Sequence, residues 1–336
     1  MTIKDLAAKT GYAVATVSRA LNNHPNVSPK ARETILKAAE ESGFQLNTNA
    51  KQLKQQKATS LLVVVKGTAN ELFSDLLENI QSLAAQTEYP LLVDYLDEDA
   101  NEVLRALQLC REKKPLGILF LGGNRENFAR DFQKITIPCV LVTNDARDLA
   151  LPNLSSVCVD DRQAARCAVD ALASLGHRRL AVVGGDRLVS DTARLRYQGC
   201  MDALEDRSLE FDPEADYAGG RFSYQDGYDA AARLLAQGRK FTALFAQADV
   251  MAIGAIRALA DQGLRVPQDV SVMGFDGLAL GSFLVPQLST VSQPTRLMAR
   301  RSMEILIDCI ENNRPAVHES VPFTLLSRES TRRLDK

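Results

Sequence analysis

From Ser60 onward, short uninterrupted apolar runs alternate with stretches whose apolar positions recur every three or four residues. The runs are LLVVV (61–65), PLLVDYL (90–96), GILFL (117–121), CVLV (139–142), SVCV (156–159), RLAVV (179–183), ALFA (243–246) and VSVMGF (270–275). Runs of this kind predict strands covered on both faces. The stretches between them, such as 72–85, 162–175 and 224–235, predict amphipathic helices. Repeated strand–helix units predict an α/β fold of doubly wound parallel sheets. There are too many strands for one comfortable sheet, and the break near Asp160 predicts two similar subdomains. Ligands of such sheets bind beyond the carboxyl ends of the strands. That singles out Thr68, Gly122–Gly123, Thr143–Asn144, Gly184–Gly185, Asp249 and Asp276.

The first 45 residues carry a different pattern. Ile3, Leu6 and Ala7 give one helix an apolar face, and Gly11 ends it in a tight turn. A second helix is predicted from about Val14 to Leu21, with Val17, Ala20 and Leu21 inward. Ser28 caps a third, with Pro29 at its first position and Ala31, Ile35, Leu36 and Ala39 buried before Gly43 stops it. Two short helices joined around a glycine and braced by a third form a helix-turn-helix. Residues 45–59, QLNTNAKQLKQQKAT, read as a polar, basic linker able to form one short helix with a partner.

Charge sharpens this division. Residues 1–58 hold seven Lys and two Arg against four acids, a net +5, whereas the remainder holds 31 basic and 38 acidic residues, a net −7. A basic head on an acidic body points to nucleic acid, although a solvated basic face gives the same count. The chain is 46% apolar and 24% charged, the mix of an ordinary soluble protein. Neither a membrane span nor a signal peptide is visible, so a cytoplasmic protein is expected. Six scattered cysteines without a C-x-x-C pair read as free thiols, and three distant histidines offer no zinc site. With no H-E-x-x-H, G-x-S-x-G or P-loop, neither metal nor cofactor is expected, and an enzyme is disfavoured. The pairs in LFLGGN and VVGGD complete no dinucleotide fingerprint and read as turn glycines.

The head segment from Ile3 to Phe44 resembles the DNA-binding head of the lac repressor/galactose repressor family of bacterial regulators. Gly11, Thr16, Val17, Ser18, Arg19, Leu21 and Asn22 match its core. The likeness continues through Asn47, Ala50 and Leu53, then SLGHRRLAVVGG (174–185), RLRYQG (194–199), FAQADVMAIGAIRAL (245–259), VPQDVSVMGFDG (266–277) and PQLSTVSQP (286–294). It departs at Tyr12 and Ala13, where the family has valine and a capping serine, at Leu46, where proline is usual, and at Ala248, where asparagine is usual.

The resemblance implies a helix-turn-helix domain at 1–46, a hinge helix at 47–59 and an effector-binding and dimerisation domain at 60–336. The last is of periplasmic-binding-protein type, with subdomains at about 60–160 plus 290–318 and 161–289 plus 319–332. Val14, Ala15 and Arg19 would meet base edges in the major groove. Thr2, Thr16, Ser18 and Asn26 would join the DNA contacts, with Thr2, Ser18 and Asn26 on phosphate or sugar. Ile3 is either a base contact or core, and paired Leu53 side chains would wedge into the minor groove. In the body, Arg196 and Asp276 would bind ligand hydroxyls, Phe222 would pack on a sugar face, and Phe73 and Thr143 would complete the pocket. Asp249 is expected to cap the helix beginning at Val250. Truncating Arg196 to alanine is expected to remove the ligand response and spare DNA binding.

The function implied is a sequence-specific transcriptional regulator, a repressor controlled by a sugar or sugar phosphate bound between subdomains. Its partners would be a near-palindromic operator and a second copy of the chain. The final RRLDK adds no heptad segment, so a dimer is expected rather than a tetramer. The alternatives are a solute-binding receptor of the same fold, or a regulator driven by a partner protein or a nucleoside.

Overall fold

The computed structural model describes residues 3–21, 27–42, 59–67, 71–238 and 240–334. The chain divides into two compact units, 1–57 and 58–336.

In the first unit, α1 (Ile3–Thr10), α2 (Val14–Leu21) and α3 (Pro29–Glu41) surround a small core of Leu6, Val17, Ala20, Val27, Ala31, Ile35 and Ala39. Gly11 makes the turn after α1 with φ +72°, a conformation that disfavours a Cβ. The Ser28 hydroxyl accepts the Ala31 N–H, and Pro29 occupies the first turn. Leu36 departs from expectation, being 46% exposed. The buried stripe of α3 runs through 31, 35 and 39 at four-residue spacing, and Leu36 stands one residue off it. The expected linker helix at 47–59 falls outside the described residues except for Thr59.

The second unit holds two six-stranded sheets. One comprises β1 (Leu61–Lys66), β2 (Leu91–Leu96), β3 (Gly117–Leu121), β4 (Cys139–Val142), β5 (Leu154–Cys158) and β11 (His318–Ser320), in the order β11-β5-β4-β3-β1-β2, all parallel. The other comprises β6 (Leu180–Gly185), β7 (Tyr217–Gly220), β8 (Ala243–Ala246), β9 (Ser271–Asp276), β10 (Ser289–Ser292) and β12 (Thr324–Leu326). Its order is β12-β10-β9-β8-β6-β7, with only β12 antiparallel.

Helices cover both faces of each sheet. Along β1, Leu61, Val63 and Val65 join the core that includes α4 (Glu71–Ala84), and Leu62 and Val64 join the core with α5 (Glu102–Lys113) and α6 (Arg125–Asp131). That two-sided burial is why the strand reads LLVVV without alternation. Around the second sheet lie α7 (Asp161–Ser174), α8 (Asp191–Asp206), α9 (Tyr224–Ala236) and α10 (Asp249–Asp261), while α11 (Thr295–Asn312) returns to the first. Glycine lets two helix pairs approach closely. A Cβ on Gly199 of α8 would lie 2.0 Å from the Arg162 carbonyl oxygen, and one on Gly254 of α10 the same distance from that of Tyr224.

The chain passes between sheets three times: after β5, after β10 and after β11. Two expected subdomain edges therefore shift. Residues 290–292 belong with β9 in the second sheet rather than to the first subdomain, because β10 pairs along Phe275 and Asp276. Residues 319–320 stay with β5 in the first.

Candidate functional site

Between the carboxyl ends of the two sheets lies a cavity of about 280 Å3. Phe73, Thr143, Arg196 and Phe222 all line it, although they come from four separate elements or their edges. Phe73 packs over Gly122, where a Cβ would meet the ring at 2.8 Å, and Phe222 packs over Gly185, where it would meet the ring at 2.7 Å. The glycine pairs thus have a role the sequence did not reveal. Gly122 turns the chain with φ +75°, as expected, but Gly184 and Gly185 are in β6, where their missing side chains make room for Gln247, Tyr217 and Phe222.

Arg196 is 4% exposed and anchored from behind. Its Nε donates to Asp161 Oδ1 at 2.7 Å, its Nη1 donates to the Gln247 carbonyl, and Asp276 Oδ1 is 3.8 Å from Nη1. The guanidinium lies 3.7 Å from the Phe275 ring centroid, a close cation–π geometry. The second terminal nitrogen, Nη2, has no hydrogen-bond partner shown among the described residues.

Asp276 is buried beside this arginine, not on the cavity wall. Its Oδ1 accepts from Gln293 Nε2 at 2.8 Å, but its Oδ2 and the Gln293 Oε1 are buried without a hydrogen bond. Burial pushes its carboxyl up to about 6, against the pull of Arg196. Asp249 corrects an expectation. It is the first residue of α10 and makes no cap there; Ala248 holds the cap position without a side-chain bond. Instead it accepts the Gly277 and Leu278 N–H groups and the Thr290 hydroxyl, fixing the turn that follows Asp276. Burial first, and Asp276 second, raise its carboxyl to about 8.

Other wall residues have no counterpart in the sequence reading. Lys66, at the end of β1, pairs at 2.5 Å with Glu102, which is wholly buried and also accepts the Asn124 N–H and the Asn127 amide. Asn124 donates across the cleft to the Val189 carbonyl at 3.3 Å. Arg221 reaches across to Asp97 at 3.6 Å and to Asp99, and the Tyr224 hydroxyl donates to Glu71. These pairings join residues tens of positions apart, so no local pattern announces them. Thr68 lies outside the described residues.

On the head, Val14, Ala15 and Arg19 are exposed along α2, and Thr16 and Ser18 are half-buried. Ala13 accepts the Thr16 and Val17 N–H groups through its carbonyl, so the helix start keeps a backbone acceptor where the family serine would add a hydroxyl. Thr2, Asn26, Leu53 and the side chain of Ile3 lie outside the described residues.

Residues 2–47 match the model for bacterial regulatory proteins of the lacI family, and residues 169–331 match a periplasmic binding protein-like domain. The HTH-type transcriptional regulator MalR of Clostridium butyricum is 32% identical over 335 residues, covering 98% of this chain and 99% of that protein. The chain belongs to the LacI family. Two solved regulators match along nearly the whole chain. The lac repressor dimer bound to operator and the anti-inducer ONPF gives a TM-score of 0.72 at 26% identity, covering 99% of both chains. The cellobiose complex of the transcriptional regulator CelR gives 0.71 at 27% identity, covering 98% of this chain and 99% of the other. As a LacI-family member, the protein is a DNA-binding transcriptional regulator and not an enzyme. Among the described residues, no helix is long and apolar enough to cross a membrane.

Proposed function

We propose that this LacI-family regulator is a repressor that binds a near-palindromic operator as a cytoplasmic homodimer and responds to a small sugar-like effector in the cavity. The head supplies the exposed face of α2, where Arg19 can engage guanine bidentately while Val14 and Ala15 offer only apolar contact to thymine methyls. Thr2, Ser18 and Asn26 set its position on the backbone, Thr16 joins the DNA contacts, and Leu53 from each subunit wedges the minor groove. Ile3 contributes either to base contact or to the head's own core.

One observation carries the effector reading. Arg196 is a nearly buried guanidinium, oriented by Asp161, that presents a free edge to a cavity walled by Phe73 and Phe222. A fixed donor fork between aromatic faces suits vicinal hydroxyls on an apolar ring face. The volume stands at the small end of ligand pockets, which fits a ligand of monosaccharide size. The CelR relative holds cellobiose, which supports a sugar, and the match of residues 2–47 to a DNA-binding head favours a regulator over a solute receptor. Closing on ligand changes operator affinity only as far as the ligand prefers one conformation.

The experiment is a thermal-shift screen of the full chain against neutral sugars, sugar phosphates and nucleosides, followed by operator binding with and without each hit. Stabilisation by a sugar that also changes operator affinity is expected. Stabilisation by nucleosides alone would replace the sugar reading.

A further inference from the structure

The charges around the cavity do not balance. Each cation on the wall is committed to a carboxylate: Lys66 to Glu102, Arg196 to Asp161, and Arg221 to Asp97 and Asp99. Two wall carboxylates remain. Among the described residues, Glu98 makes no ion pair or hydrogen bond, and the Asp226 carboxylate accepts only from the neutral Ser223 hydroxyl. Behind Arg196, Asp276 Oδ2 and Gln293 Oε1 are buried acceptors with no donor. The site is therefore rich in acceptors and negative charge, and each of its wall cations already faces a carboxylate.

A dianionic phosphate would enter this field against repulsion from Glu98, Asp226 and the Asp97–Asp99 loop, and the Arg196 edge that could receive it is already half neutralised by Asp161. A neutral sugar would leave Glu98 partly desolvated and unpaired, a costly arrangement for a carboxylate. Burial raises the Glu98 pKa, and Arg221 offsets that only in part. A ligand ammonium removes the problem by supplying the missing charge and up to three donors.

We propose that the effector is an amino sugar, whose protonated amine sits against Glu98 and Asp226 while Arg196 holds its hydroxyls. This rests on the cavity being the effector site, so the test separates the two ideas. Glucose, galactose and mannose would each be compared with the 2-amino, N-acetylated 2-amino and 6-phosphate forms by calorimetry on the full chain at low salt. In at least one series the free amine is expected to bind tenfold or more tighter than its neutral parent, since a charge-assisted hydrogen bond is worth about that much. Acetylation, which removes the charge, should erase the gain, and the 6-phosphate should bind worst.

Glu98→Gln should abolish the amine preference, with circular dichroism reporting its fold. Should that variant not fold, the wild-type preference must still shrink as salt rises, which an uncharged origin would not produce. Neutral, acetylated or phosphorylated forms binding as tightly as the amine in every series that binds overturn the amine proposal and leave the sugar site standing. No binding in any series counts against the sugar site itself, and the amine proposal falls with it.

Discussion

At Arg196 one guanidinium both faces the cavity and ties α8 to Asp161 and to the Gln247 carbonyl. Truncation therefore does more than remove a ligand contact. Arg196→Ala leaves Asp161 buried and unpaired, and is expected to lower stability by about 3–5 kcal/mol in urea unfolding. Operator binding would then fall for want of folded protein, contrary to the clean loss expected from sequence position. Arg196→Lys keeps the charge but not the planar fork. It should stay nearer the wild-type unfolding midpoint and lose ligand affinity by about ten- to a hundredfold. Retained ligand affinity in that variant would remove Arg196 from the site. The Asp249–Asp276 pair sets a pH dependence. Both carboxyls are raised from 3.8, to about 8 and about 6, so the folded chain keeps protons that the unfolded chain has released. Their contribution to stability is then greatest at low pH and declines as pH rises from about 4 through about 8. The melting temperature of the ligand-free protein should fall between about pH 5 and about pH 8.5, and a rise across that window would contradict the assignment. Arg196 could be named because it stands in the matching stretch RLRYQG and Thr143 because it follows a strand, whereas Phe73 and Phe222 were expected from the resemblance alone. Lys66 and Arg221 could not, since their partners are fixed only by folding, and Glu98 could not because folding alone places it on the wall.

Among the elements, those legible in the sequence were the ones with apolar runs. The expected strands at 61–65, 117–121, 139–142 and 243–246 correspond closely to β1, β3, β4 and β8. The strands missed are β7, YAGG, the polar β10 and β11, and β12, whose three residues TLL are too few to make a run. Glycine and serine carry little strand preference of their own, so these segments are extended because a neighbour pairs with them. Helix contacts were equally silent. Nothing in RLRYQG announces that Gly199 touches the backbone of α7. Gly199→Ala should raise intrinsic helix preference by about 1 kcal/mol and still destabilise the protein, because its Cβ would collide with a carbonyl that cannot swing aside. A net loss of about 1–3 kcal/mol in urea unfolding is expected, and a gain in stability would show that α7 and α8 part easily.

In the second unit, Asn124 and Arg221 reach over the cleft from opposite sides. Arg221 is about half exposed, at 49%, so its ties to Asp97 and Asp99 belong to the weak class of surface ion pairs. Arg221→Ala should weaken binding of an identified effector by no more than about fivefold at low salt. The difference from wild type should vanish near 0.5 M salt, roughly, where screening removes such pairs. Calorimetry at two salt concentrations measures this, and a loss independent of salt would mean that Arg221 touches the ligand directly.

The late position of β11 has a consequence for biosynthesis. His318–Ser320 is the outer neighbour of β5, whose own residues emerge about 160 positions earlier. At roughly 5–20 residues per second, a ribosome needs on the order of 8–30 s to make up that distance. Throughout that time β5 presents an unpaired edge, the feature most prone to capture by another chain. The second sheet is finished later still along the chain, by Thr324–Leu326, although its β10 edge waits a far shorter distance. Each half is thus completed only by the tail of the chain, and a nascent regulator stalled before residue 318 holds two unfinished sheets in place of one finished domain.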